Sequence, residues 1–224
     1  PAFLATIIGY SIFGLFEGFK PVFAETSLIW TVSQIPFFLL LGLICAGYGW
    51  LYVTSFYKTH DIFAYLVTKY GIPRFIKPVI GAFLTGIIVI IIFLFVPSGE
   101  EIGLGSLGSG YGFLQLAMYS MLPLAVLIAL PFLKILTTSL TIGSGGSGGV
   151  FAPGLVIGGM IGGMCGVIFN LAFPTYFPPE TIPAFIICGM VALFGSVSYA
   201  PIAVMIMVVE MTANFSLLVP AMGA

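Results

Sequence analysis

The sequence predicts an all-α, polytopic membrane protein, and its composition carries that prediction. Hydrophobic residues make up 60% of the 224 residues, charged residues only 6%, and the mean hydropathy is +1.24. A soluble domain contains about 25% charged residues, and a chain of this size exposes much of its surface. Since so few charges cannot cover a water-exposed surface, we expect lipid to be the main solvent of this chain.

Seven apolar stretches predict a bundle of membrane helices. A helix needs about 20 mostly apolar residues to cross the hydrocarbon core of a bilayer, which is roughly 30 Å thick. The stretches that approach or reach this length are residues 2–16, 35–57, 78–96, 113–142, 150–173, 184–197 and 202–220. Most of the charges fall between them, at Glu17, Lys20, Glu25, 58–77, Glu100, Glu101 and Glu180. We therefore expect a multi-pass protein of the cell membrane.

Glycines and prolines interrupt several of these stretches, and some stretches are too short to cross an average bilayer. The breaks occur at Pro123, Pro131, residues 143–149, Pro153 and Pro201. Lipid cannot satisfy free peptide groups, so irregular backbone at membrane depth persists only where protein buries it or where it lines a wet cavity. The pattern predicts broken, re-entrant helices around a permeation or binding site.

The distribution of charge predicts the orientation of the chain in the membrane. Residues 58–77 hold four of the six cations, whereas residues 97–112 hold Glu100 and Glu101 without a cation. The positive-inside rule places the first connection in the cytoplasm and the second outside. One membrane-crossing stretch, residues 78–96, separates them, so the two assignments agree.

A glycine repeat predicts a close helix contact. Gly154, Gly158, Gly162 and Gly166 recur every four residues and leave one side of the predicted helix without side chains. Such a surface packs closely against another helix, and this structural role explains the repeat without a role in transport.

Other residue types exclude several classes of function. The net charge is −1 and the six cations are scattered, so no basic surface is available for nucleic acid. Cys45, Cys165 and Cys188 lie in apolar runs without a CxxC pair, so we expect buried thiols. His60 is the only histidine and lies among charged residues, where we expect it to be solvated. The chain therefore offers no catalytic or metal constellation, and we expect neither an enzyme nor a cofactor.

The most informative stretch is residues 137–153, with the sequence TTSLTIGSGGSGGVFAP. An apolar helix is predicted to end at a loop of glycine and serine, and a new helix to begin near residues 150–153. Pro153 suits a first helical turn, because its ring presets φ and the amide hydrogen it lacks would have no partner there. Glycines let the loop turn sharply and let an ion approach the main chain. The predicted loop residues are Gly145, Gly146, Ser147 and Gly148.

The first amide groups of the new helix predict an anion site. They have no acceptor within the helix, and the helix dipole places partial positive charge on them. N–H dipoles can replace water around an anion and still release it, whereas a full cation inside the bilayer would hold it too tightly. We expect the anion at Gly149, Val150 and Phe151.

Three other interpretations of the loop fit less well. Gly143, Gly145 and Gly148 satisfy the dinucleotide-binding pattern G-x-G-x-x-G, but a membrane helix precedes them and no acidic residue follows about twenty positions later. No Gly-Lys-Ser/Thr follows, so the phosphate-binding loop of nucleotide triphosphatases is not matched. A flexible engineered linker has this composition, yet apolar helices flank the loop and leave nothing for a linker to join.

The segment GSGGSGGVFAPGLVIGG resembles the third anion-selectivity signature of the CLC family of chloride channels and chloride/proton antiporters. That signature is a Gly-Gly-x-Phe-x-Pro pattern that opens a helix at the membrane centre. Other segments resemble the family in the same order, namely FLLLGLICAGYGWLY, GSGYGFLQL, Lys134 followed by Thr138, and FIICGMVALFGSVSYAPIAVMIMVVEMT. The similarity extends over nearly the whole chain.

This resemblance implies an all-helical, inverted-repeat fold that forms a homodimer with a pore in each subunit. Residues 1–224 would form a single transmembrane region, comprising the second repeat and the last helix of the first. In the family, amides at the x and Phe positions hold chloride, the transported substrate, and these positions correspond to Val150 and Phe151. The family's pore serine and gating glutamate belong to the first repeat and have no match here, and its pore tyrosine would lie beyond Ala224. We therefore expect the missing first-repeat helices of the same protein to contribute to the permeation path.

Two charged residues lie within apolar stretches. Lys134 matches a basic position in the family and has two possible roles, raising the positive potential near the anion or extending its ammonium group to the interface. Glu210 is expected to form hydrogen bonds at a helix end, in the region that the family uses for dimer contact.

The resemblance leaves three functions open for this chain. Chloride/proton exchange is preferred on the general character of the sequence. A passive voltage-gated chloride channel and a non-conducting truncated scaffold are the alternatives, because the glutamates that distinguish exchange from passive flow are not in this chain.

Overall fold

Ten α-helices make up most of the described chain, which in this computed structural model comprises residues 2–23, 29–71, 73 and 75–224. No strand occurs within these ranges. Glu25 and Arg74, two of the charges between predicted helices, lie outside the described residues. The helices are α1 (Ala2–Glu17), α2 (Ile35–Tyr70), α3 (Lys77–Phe95), α4 (Gly99–Ser106), α5 (Tyr111–Met118), α6 (Leu124–Gly143), α7 (Phe151–Ala172), α8 (Ile182–Ser198), α9 (Pro201–Thr212) and α10 (Leu218–Gly223).

Proline marks the start of several of these helices. Pro36, Pro78, Pro183 and Pro201 occupy the first or second position of α2, α3, α8 and α9. A proline there costs no hydrogen bond, because the first amides of a helix have no acceptor within it. The apolar pattern and these prolines together explain why the predicted helix starts lie within about two residues of the observed ones.

Five of the helices within the described residues are long and apolar enough to cross a membrane: α2, α3, α6, α7 and α8. Among these five, α8 is the most deeply buried within the protein and α3 the most exposed. The shorter apolar helices, such as α9, cannot cross alone. The predicted all-α polytopic fold with broken helices is confirmed.

The expected cytoplasmic connection at residues 58–77 is wrong in its first part. Helix α2 continues through Lys58 and ends only at Tyr70, followed by Gly71 in a left-handed conformation with φ +63°. Residues 58–70 contain no glycine or proline, and Phe63 is buried, so nothing ends the helix where the charges begin. Charge thus marks the limit of the apolar part and not the limit of the helix.

The apolar stretch at 113–142 is interrupted at Pro123, as predicted, and forms two helices. Helix α5 ends at Met118 and α6 starts at Leu124, with Ser120 at φ +56° and Pro123 as the N-cap residue between them. Conversely, α6 runs through Pro131, which was expected to interrupt it. The predicted external connection at 97–112 contains α4, whose first turn carries both glutamates, where the helix dipole favours negative charge.

The glycine repeat of α7 packs directly against α8, as predicted. A Cβ atom at Gly158 would overlap the carbonyl oxygen of Gly189, and one at Gly162 would overlap that of Phe185. The phenyl ring of Phe185 stacks on Phe38 of α2 with ring centroids 4.4 Å apart. The helices α2, α7 and α8 therefore form the centre of the core, and packing against α2 and α8 holds the beginning of α7 in place.

Candidate anion-binding site

A tight turn joins α6 to the start of α7. The N–H groups of Gly145 and Gly146 donate to the carbonyl oxygens of Ile142 and Thr141, at 2.9 and 3.1 Å. Gly145 has φ +95°, in the region that favours glycine, and a Cβ atom at Gly146 would lie 2.5 Å from the carbonyl oxygen of Thr141. These two glycines shape the turn, and the next four residues lead the chain to α7.

The predicted helix start is confirmed within one residue. Val150 is the N-cap residue of α7 and Phe151 is its first residue. The carbonyl oxygen of Val150 accepts a hydrogen bond from the N–H of Gly154 at 3.1 Å. Pro153 is buried in the first turn.

The first N–H groups of α7 remain available to a ligand. Among the described residues, no carbonyl or side chain accepts a hydrogen bond from the N–H of Val150, Phe151 or Ala152. The aligned peptides of a 22-residue helix add partial positive charge at this end. Unpaired donors with that charge are suited to an anion.

A cavity of about 540 Å³ lies at this helix start. Its wall combines polar and apolar residues of α3, the end of α4 and the connection after it, α6, the glycine-rich turn and the first turn of α7. The residues that line it are Thr85, Ser106, Leu107, Gly108, Ser109, Lys134, Thr137, Thr138, Thr141, Ile142, Ser147, Gly148, Gly149, Phe151, Ala152 and Pro153. The fold therefore brings most of the predicted site residues together, whereas Gly145, Gly146 and Val150 do not line this cavity.

Several hydroxyl groups at the cavity wall already donate to backbone carbonyls. Thr85 donates to Gly81 at 2.9 Å, and Thr141 donates to Thr137 at 2.8 Å. Thr138 also lines the cavity and is only 6% exposed, but its hydroxyl makes no hydrogen bond within the described part of the chain. A hydroxyl at the cavity without a protein partner is free to donate to a bound anion. The sequence argument did not include Thr138 among the site residues.

Lys134 is buried at the same cavity. Its side chain is only 1% exposed, and Nζ donates to the carbonyl oxygens of Ser106 and Gly108 at 3.1 and 2.8 Å. The ammonium group therefore does not reach the membrane interface, and that interpretation of Lys134 is wrong. Instead, its charge sits at the carboxyl end of α4, where the helix dipole is negative.

Val150 also contacts a residue that sequence reasoning missed. The hydroxyl of Tyr52 donates to the carbonyl oxygen of Val150 at 3.4 Å, a long hydrogen bond, and Tyr52 is 2% exposed. The side chains of Tyr52 and Val150 line a second cavity of about 510 Å³, together with Trp50 and Tyr199. Tyr52 lies 98 positions from Val150 in the sequence, so no local pattern predicts this contact.

The remaining candidate residues lie away from the site. Glu210 is exposed near the end of α9, and its carboxylate forms none of the expected hydrogen bonds within the described chain. The three cysteines are buried and free, as predicted. His60 is exposed and its Nδ1 lies 3.5 Å from the carboxylate of Asp61. The described residues contain no group of histidines, cysteines and acids that could hold a metal ion.

Comparison with known sequences assigns the chain to a family. The profile of the family described as voltage gated chloride channel matches residues 1–224. The chain belongs to the voltage-gated chloride channel family. This membership and the five long apolar helices make it an integral, multi-pass membrane protein.

Relatives in the voltage-gated chloride channel family carry names that state different activities. The chain is 28% identical over 99% of its length to the chloride channel protein CLC-f of Arabidopsis thaliana, and covers 28% of that protein. It is 27% identical over 97% of its length to the H(+)/Cl(−) exchange transporter ClcA of Yersinia pestis, and covers 43% of that protein. An uncharacterized protein of Methanocaldococcus jannaschii is 34% identical over 71% of the chain. The chain thus spans less than half the length of these curated relatives.

Proposed function

We propose that this chain belongs to a protein that moves chloride across a membrane and that the anion binds at the start of α7. The observation that carries this proposal is the set of N–H groups at Val150 and Phe151, which have no acceptor in the described chain. Gly149 gives access to them, because a Cβ atom there would meet no described atom within 4 Å. Family membership supports chloride as the anion.

The physical character of the site suits transport. Peptide dipoles can replace part of the water around a halide, and their partial charges leave the halide able to depart. Lys134 adds a full positive charge at the cavity, but its shortest hydrogen bonds go to backbone carbonyls and not into the cavity. We propose that Lys134 offsets the negative end of α4 and so keeps the cavity favourable for an anion.

We propose chloride/proton exchange in preference to passive flow. The support is the similarity to ClcA, a named exchange transporter, of which the chain covers 43%. The similarity to the chloride channel protein CLC-f supports the alternative. Liposomes that contain the protein separate the two: an outward chloride gradient drives proton uptake against a pH gradient only in an exchanger, whereas a channel moves chloride without this coupling.

We also propose a homodimer in which further helices of the same protein complete the permeation path. The relatives are more than twice as long as this chain, which leaves room for such helices. Ile202, Ile206 and Glu210 share an exposed face of α9, at the position where the family resemblance implies contact with a second subunit. Cross-linking of a cysteine introduced at Ile206 tests the dimer, and absence of a cross-linked pair in membranes would reject this contact.

Bromide tests the anion site directly. Crystals of the full-length protein grown in bromide should show anomalous density within hydrogen-bonding distance of the N–H of Val150 or Phe151. Density elsewhere in the protein, with none at the start of α7, would reject the site while leaving chloride transport to be judged by liposome flux. Flux without density at α7 would therefore separate a wrong site from a wrong function.

A further inference from the structure

Helix α2 is much longer than a bilayer requires. Its 36 residues span about 54 Å at about 1.5 Å per residue, against a hydrocarbon core of about 30 Å. Residues 35–57 contain no charged side chain and alone cover about 34 Å. The last 13 residues, beginning at Lys58, therefore extend past a stretch that is itself long enough to cross the hydrocarbon core.

One face of this end of α2 is basic and aromatic. Lys58, Ile62, Tyr65 and Lys69 follow the helical spacing of four, three and four residues, and all four are exposed. We call these four residues the basic stripe. The ammonium group of Lys69 lies 5.2 Å from the ring centre of Tyr65 and 5.5 Å from that of Tyr70, so aromatic rings hold this cation at the surface.

The charge of the basic stripe is not neutralised by the protein. Asp61 is the only acidic residue in 58–77, and among described residues its one ion pair is with His60. No described carboxylate forms an ion pair with Lys58 or Lys69. Lys77, at the start of α3, adds a third cation to the same side of the membrane.

We propose that the basic stripe binds the phosphate groups of anionic phospholipids. Lysines at the end of a membrane helix attract anionic headgroups, and tyrosines prefer the same interfacial layer. Ile62 and Tyr65 lie between the two lysines, which suits a lipid surface with apolar and charged parts. The positive-inside rule places this surface on the cytoplasmic side. The proposal is independent of any anion bound at α7.

Tryptophan fluorescence can measure this binding. Residues 1–224 contain two tryptophans, Trp30 and Trp50, so replacing Trp30 and any tryptophan outside these residues by phenylalanine leaves Trp50 as the reporter. Trp50 is 71% exposed and lies on α2 eight residues, about 12 Å, before Lys58. The protein is reconstituted in vesicles of phosphatidylcholine and phosphatidylglycerol, and one of the two lipids is brominated in each sample. Bromine quenches the fluorescence of Trp50, so the two samples give the ratio of the association constants of the two lipids near Trp50.

We expect phosphatidylglycerol to be preferred by about fivefold or more at low ionic strength, because each lysine near an anionic surface contributes about a fivefold gain. The preference should fall in high salt, which screens exposed charges. The double variant Lys58→Gln, Lys69→Gln should bind both lipids nearly equally. The double variant Lys58→Arg, Lys69→Arg should keep the preference, which controls for folding.

Lys20→Gln is the matched control. Lys20 is an exposed lysine between α1 and α2, beyond the opposite end of α2 from the basic stripe. Replacing Lys20 removes one lysine charge, and the ratio of the two lipid association constants should stay unchanged. Equal binding of the two lipids by the protein with both lysines intact would overturn the proposal and would point to an acidic protein segment as the partner. An undiminished preference in the glutamine double variant would overturn it as well.

Discussion

The ammonium group of Lys134 lies 2.8 Å from the carbonyl oxygen of Gly108, and a second hydrogen bond reaches the carbonyl of Ser106 at 3.1 Å. Lys134 belongs to α6, whereas the acceptors belong to the end of α4 and the residues that follow it. The last carbonyls of a helix have no donor within it, so this side chain supplies one from outside. One lysine therefore joins two parts of the cavity wall.

Replacement of Lys134 by methionine should destabilise the protein. The change keeps a long apolar side chain but removes the charged donor to the carbonyls of Ser106 and Gly108, and a hydrogen bond from a charged group contributes about 1.5–3 kcal/mol. The melting temperature in detergent measures the effect. Lys69→Met is the control, because Lys69 is exposed and only approaches aromatic rings. Equal melting temperatures for the two variants would show that the bonds of Lys134 contribute nothing.

Gly149→Val should abolish chloride flux without preventing folding. A Cβ atom at Gly149 would meet no described atom within 4 Å, so the new side chain fits and occupies the cavity at the start of α7. Chloride efflux from liposomes measures the loss. Gly112→Val is the matched control, since Gly112 also has open space around it but does not line the cavity. Flux at the unmodified level in Gly149→Val would contradict the proposed position of the anion.

Thr138→Val should weaken anion binding and leave stability almost unchanged. The substitution preserves shape and removes a hydroxyl at the cavity wall that has no partner in the described chain. Loss of one hydrogen bond of about 1 kcal/mol corresponds to about a fivefold loss of affinity. Calorimetric titration with chloride measures it.

Thr137→Val provides the comparison for Thr138→Val. The hydroxyl of Thr137 lies 3.2 Å from the carbonyl oxygens of both Ser106 and Lys134. Removal of the Thr137 hydroxyl should therefore lower the melting temperature clearly, whereas chloride affinity should fall only slightly. If Thr138→Val binds chloride as tightly as the parent protein, the hydroxyl of Thr138 does not contact the anion.

Gly158→Ala should destabilise the protein more than Gly163→Ala. At Gly158 the added Cβ would overlap a backbone carbonyl oxygen of α8, which can move only if the two helices separate. At Gly163 the nearest atoms are side-chain atoms of Ile186 and Leu127 at 3.3 Å, which can shift slightly. Overpacking of this kind costs about 1–3 kcal/mol. Thermal unfolding of both variants in detergent measures the difference, and the reverse order would argue against the close approach of α7 and α8.

Local signals predicted the start of α7 well. Residues 143–149 and Pro153 are turn and helix-start signals that act within a few residues, so the start of α7 at Phe151 followed from the sequence alone. The same is true of the close contact made by Gly158, because a helical repeat of glycines has few other uses in a membrane.

Other features depend on distant parts of the chain and were not predictable. The charges at Lys58 and Asp61 suggested a loop, but helix α2 continues because the next glycine is Gly71. The partners of Lys134 lie 26 to 28 residues away, and those of Tyr52 lie 98 residues away. Hydrophobic periodicity contains no information about which buried polar groups meet across separate helices.

The contact between Gly158 and Gly189 limits how the start of α7 can move. Backbone touches backbone there, so no side chain can change rotamer to let one helix slide past the other. Any displacement of Val150 and Phe151 must then carry α8 along as a rigid body, or bend α7 before Gly158. Rigid-body motion of the two helices would change the distance from Val150 to α6 and keep the distance to α8 constant, whereas bending of α7 would change both distances.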